Sequence, residues 1–87
     1  MPNISETARS ILTLLNNAND LIVQSSDRSA ARDVMRAIRV YGDNKGFLLP
    51  QDKIDNFYAV LIDARPFTLT SIIKDIAEDV IMIDKKR

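Results

Sequence analysis

The chain has 87 residues, 46% of them hydrophobic and 28% charged, with 12 cations balanced by 12 anions. It contains no Cys and no His, which excludes disulfides, the usual zinc and haem ligands, a thiolate nucleophile and an imidazole acid–base group. The composition is that of a folded chain rather than a disordered one, and the length fits one helical domain over residues 1–87.

The charge also balances along the chain, five cations against five anions through Asn44 and seven against seven after it. A nucleic-acid binder usually carries a basic excess, so this balance argues against one. The N-terminal "MPNISETARS" has no basic stretch followed by an apolar one, and no apolar run reaches membrane-spanning length. Together with the lack of Cys this gives the expectation of a cytoplasmic protein with no membrane contact.

The first predicted helix covers about residues 3–23. Asn3 with Glu6 three positions later is a capping-box pattern. Ile4, Ile11 and Ala18, with Leu14, Leu21, Ala8, Leu15 and Ile22 beside them, fall on one face at about 100° per residue. Leu14 is expected mid-stripe, in the core.

The polar joint "QSSDRS" separates this from a second helix over about 28–41, where Ser26 or Asp27 can cap. Ala31, Val34, Met35, Ile38 and Tyr41 form its apolar face, and Gly42 is placed to end it in the left-handed region. "YGDNKGFLLPQD" has the glycine spacing of a calcium loop, but Tyr41 and Lys45 stand where oxygen ligands are needed, so no metal is expected.

Pro50 suits the first residue of a third helix, about 50–64, with Ile54, Phe57, Leu61 and Ala64 facing inward and Pro66 stopping it. Thr68 or Thr70 can cap a fourth, about 69–84, striped by Leu69, Ile72, Ile73, Ile76, Val80 and Ile83. Its "VIMI" end is β-prone and could be extended. Tyr41, Phe47, Phe57, Tyr58 and Phe67 are expected to pack in the core. The fold class read from these stripes is all-α, a small antiparallel bundle of three to four amphipathic helices.

Neither a catalytic motif nor a cofactor site is present: the two glycines, Gly42 and Gly46, do not build a phosphate loop. Asp75, Glu78 and Asp79, at i, i+3 and i+4, form an acidic surface rather than a catalytic carboxylate set. The feature with most functional content is the run "RSAARDVMRAIR". Arg28, Arg32, Arg36 and Arg39 fall within an arc of about 80°, and every cation before Lys45 is arginine. Arginine's planar donor fork suits interfaces better than lysine. The arginines are expected as an exposed ridge away from the apolar face, with Arg32 and Arg36 at its centre and Arg28 and Arg39 at its rim.

In an up-down bundle the acidic stripe of helix 4 is diagonal to this ridge, so one chain cannot easily neutralise it. The expectation is therefore a non-enzymatic protein that binds another protein or a second copy of itself, without cofactor or small-molecule substrate. It would serve as a regulator, inhibitor or adaptor. The alternative is a nucleic-acid-binding regulator using the arginine ridge and the terminal "KKR".

Overall fold

The computed structural model describes residues 3–87. Helices α1 (Glu6–Val23), α2 (Arg28–Asn44), α3 (Gln51–Val60) and α4 (Pro66–Lys86) account for all regular structure among them, and no strand occurs there. The packed pairs are α1 with α2, α1 with α4 and α3 with α4. Neighbours run antiparallel: Ser5 at the start of α1 meets Asp84 at the end of α4, and Asn19 near the end of α1 receives a 2.8 Å hydrogen bond from Thr70 near the start of α4.

Each helix buries the stripe its spacing implies. Ala8, Ile11, Leu15, Ala18 and Ile22 from α1 meet Ala31, Met35 and Ile38 from α2, Ile54 and Phe57 from α3, and Leu69, Ile73, Ile76 and Val80 from α4. Leu14 is only half-buried; Leu15 occupies the core position. Phe47 and Phe57 are fully buried, whereas Phe67 is 82% exposed and lies outside the core.

Five helix ends differ from the sequence expectation. Asn3 does not cap α1; Ser5 does, its Oγ accepting from the Ala8 N–H at 3.2 Å. Asp84 holds Ser5 in the extended conformation a cap requires, accepting from both its N–H and its hydroxyl. At the next joint Asp27 is the cap of α2, accepting from the Ala30 N–H at 2.9 Å.

Gly42 does not end α2. It lies inside the helix and is buried, and the left-handed residue is Gly46, with φ 68°. Phe47 N–H donates to the Gly42 carbonyl at 2.8 Å and Gly46 N–H to Asp43 at 3.1 Å, the bonding pattern of a Schellman ending. Gly42 is needed for space: a Cβ there would stand 2.8 Å from Leu49 Cδ1 and 3.2 Å from the Phe47 carbonyl oxygen.

Pro50 is the cap of α3 rather than its first residue, and α3 stops at Val60 instead of 64. The Arg28 guanidinium donates to the carbonyl of Leu61, the C-cap of α3, and at 2.7 Å to that of Ala64 in the turn beyond it. The Leu61 carbonyl would otherwise lack a partner at the helix C-terminus. Pro66 does not stop α3; it opens α4 at the first turn, three residues before Leu69, because its fixed φ is already helical. The residue before it, Arg65, is extended (ψ 155°), as a pre-proline position prefers. "VIMI" stays helical because Val80 is buried on the same stripe as Ile76. No helix among the described residues is long and apolar enough to cross a membrane.

Candidate functional site

The arginines of α2 lie beside the core stripe, on the flank that turns toward α3, rather than opposite it. With about 100° per residue, Arg39, Arg32 and Arg36 stand roughly 70°, 90° and 130° from the centre of the Ala31–Met35–Ile38–Gly42 stripe. Met35, which neighbours them on the wheel, is fully buried. This flank borders the seam between α2 and α3, which is absent from the closely packed pairs.

The four arginines do different things there. Arg28 is half-buried and committed to the end of α3, so it stands apart from the exposed row. Arg32 is exposed, with Nε 3.6 Å from Asp33 Oδ1 and a 3.5 Å contact to Ser29 Oγ. Arg36 and Arg39 are exposed and flank Tyr58 of α3. Among the described residues the ion pairs are Arg32–Asp33 and Lys53–Asp79, so Arg36 and Arg39 have no carboxylate within salt-bridge distance.

Tyr58 is half-buried beside Phe57, ring centroids 6.2 Å apart in an edge-on arrangement. Burial pushes its phenol above the usual value, and the charges of Arg36 and Arg39 oppose that by favouring the phenolate. Toward the start of α2 the seam opens into a groove of about 300 Å³ lined by Arg28, Ser29, Arg32, Tyr58, Leu61 and Ile62. Ile62 is 85% exposed at its edge. The surface thus sets two guanidinium groups without a carboxylate partner and an aromatic ring beside an uncovered aliphatic side chain. Tyr and Arg are the residue types enriched where proteins meet.

The acidic residues of α4 border α3 on its other side. Asp79 accepts from Lys53 Nζ at 2.7 Å, and this bond raises the Lys53 pKa, with the charges of Asp75 and Glu78 adding to it. Asp75 and Glu78 are exposed. No group of three or more His, Cys, Asp or Glu among the described residues is placed to hold a metal. Of the terminal "KKR", Arg87 stacks over the Phe47 ring, 4.9 Å from its centroid, and closes the end of the core.

Tyr58 and Ile62 are the functional candidates that spacing alone missed. Tyr58 is half-buried rather than in the core with Phe57, and Ile62 falls beyond the point where α3 ends. The signal in the sequence is "VLI", three consecutive aliphatic residues where a one-faced helix stripe buries only one or two. The chain matches no family model, no curated protein and no solved structure.

Proposed function

We propose that this protein acts by binding another protein through the α2–α3 face rather than by catalysis, with Arg36, Arg39 and Tyr58 at the centre of the contact and Arg32 and Ile62 beside them. One observation carries the reading. Two arginines without an intramolecular carboxylate flank a half-buried tyrosine next to an exposed isoleucine. Unpaired guanidinium forks favour a partner that presents carboxylates, and complementary charge sets orientation and on-rate. The lack of His and Cys supports a binding role over an enzymatic one, and the even charge balance favours a protein partner over nucleic acid. A regulator, inhibitor or adaptor working in the cytoplasm fits this description.

The test is affinity capture from the native host, with and without nuclease, using the parent chain and Arg36→Glu/Arg39→Glu. A protein retained after nuclease and lost with the variant is the expected result. Equal capture by both chains would reduce the arginines to a solvated face. Loss of all capture after nuclease would instead make the partner a nucleic acid.

A further inference from the structure

We propose that the groove at the start of the α2–α3 seam anchors this face, and that its occupant is an acidic segment of a partner protein. The segment inserts one apolar side chain between Arg32 and Ile62 and lays its carboxylates along the α2 arginines. The inference rests on the binding reading above and names the chemistry of the partner.

The groove has an apolar wall and a cationic wall. Tyr58, Leu61 and Ile62 form the first, and Arg28 and Arg32 belong to the second. No carboxylate lines it. Its volume, about 300 Å³, is at the small end of the range for ligand pockets. It therefore takes one side chain of a larger molecule. Ile62, 85% exposed, is the surface that such a side chain would cover.

Both walls are held in place before any partner arrives. The Tyr58 ring leans edge-on against Phe57, which is fully buried. Arg28 is half-buried and bonded to the Leu61, Ile62 and Ala64 carbonyls, each time through Nη1. Those acceptors carry no formal charge, and Arg28 Nε and Nη2 donate to no acceptor among the described residues. A fixed donor loses little freedom on binding, which favours affinity.

The cations continue beyond the groove. Arg32, Arg36 and Arg39 follow Arg28 on the same flank of α2, and Arg32 to Arg39 covers about 10 Å of helix axis. Arg32 meets Asp33 at 3.6 Å, with both side chains about half exposed or more, and such a contact is worth little. Arg36 and Arg39 have no carboxylate within salt-bridge distance. Asp63, next to Ile62 in the chain, is exposed and in no ion pair. A row of this length is matched by several carboxylates and not by a single one. Complementary charge then orients the segment, and the apolar side chain in the groove supplies the anchor. A phosphate backbone would match the arginines but leave Ile62 uncovered. The acidic run of α4 cannot serve from a second copy, because Ile76 and Val80, the apolar residues among its carboxylates, are buried in its own core.

Selection of random dodecapeptides displayed on phage, against the immobilised parent chain, tests this. The recovered sequences should share an aliphatic or aromatic residue bracketed by Asp or Glu. The strongest of them, as a synthetic peptide titrated into the 15N-labelled parent, should shift the amides of Arg28–Arg32 and Tyr58–Ile62. It should leave those of Asn16 and Lys74, on the α1–α4 seam, unmoved. Arg32→Glu and Ile62→Asp should each weaken this peptide by roughly 10-fold or more. Lys74→Glu, an equal charge change on the other seam, should not. Circular dichroism melts establish that the three variants fold, and the shift map on the parent does not depend on them.

An empty selection, peptides without acidic residues, shifts centred elsewhere, or equal affinity for Arg32→Glu overturns the proposal. So does a twelve-residue oligothymidylate that binds this face where no acidic peptide does, since the row would then read phosphates. If the peptides fail while Arg36→Glu/Arg39→Glu still abolishes capture of a host protein, the acidic anchor is wrong and the binding reading stands. If that variant also leaves capture unchanged, both fall.

Discussion

Leu15 has almost no exposed surface, and its truncation leaves a cavity that the neighbouring helices cannot fill. Leu15→Ala should lower the unfolding free energy by about 2–5 kcal/mol. Leu14→Ala, one residue earlier and half in solvent, should cost clearly less. Denaturant melts of the two variants decide which residue faces the core, and equal losses would refute the burial pattern. Gly42 makes the opposite argument, from space. Alanine in mid-helix gains about 1 kcal/mol of propensity. The added methyl, however, meets Leu49 at 2.8 Å and the Phe47 carbonyl at 3.2 Å. That carbonyl belongs to the residue that closes the Schellman turn and cannot rotate away, and overpacking costs about 1–3 kcal/mol. Gly42→Ala should therefore be net destabilising, and a raised melting temperature would show that the turn yields.

At the scale of elements, the four stripes were legible because burial follows the helical period: Ile54 and Phe57, or Ile73, Ile76 and Val80, have no other consistent face. The ends were less legible, because distant groups settle them. Ser5 rather than Asn3 caps α1 since Asp84, 79 residues away, accepts from its N–H. The turn that follows α3 is held by Arg28, 33 residues before Leu61 in the chain. No local pattern carries either fact. The Ser5–Asp84 clasp also gives a pH dependence. Hydrogen bonds from the Ser5 hydroxyl and N–H hold the Asp84 carboxyl below its ordinary value of 3.8. A lowered folded-state pKa contributes stability that is present above the unfolded value and is lost as pH falls through the folded one. Asp84→Asn should thus melt below the parent at neutral pH, with the difference shrinking once the pH drops under the usual carboxylate range. Ser5→Ala loses the cap as well, about 0.5–2 kcal/mol, and keeps part of its deficit in acid. A parent–Asn difference that is constant with pH would exclude the clasp.

At the scale of the whole molecule, the sequence located the arginines on one side of α2 but could not say what lies beside them. Wheel angles are measured within a helix, while the neighbour is decided by how α3 is tethered, and that tether is Arg28 itself. The residue read as the rim of a binding ridge is the strut that positions the candidate surface. This has a dynamic consequence. α3 is ten residues long, packs closely on α4 alone and has no side-chain hydrogen bond at its cap. A helix of that length is marginal without tertiary support. Its amides should therefore open at a lower free energy than those of α1 and α4, as one cooperative unit. Arg28→Ala removes charged hydrogen bonds to two carbonyls, on the order of 1–3 kcal/mol. It should speed hydrogen exchange across Ile54–Leu61 well beyond any change in α1. Arg28→Lys, with one point donor in place of a planar fork, should fall between the two. Exchange at Phe57 that tracks global unfolding in all three chains would show that α3 is held by its apolar contacts alone. In that case the face formed by Arg36, Arg39 and Tyr58 would keep its geometry without the Arg28 strut.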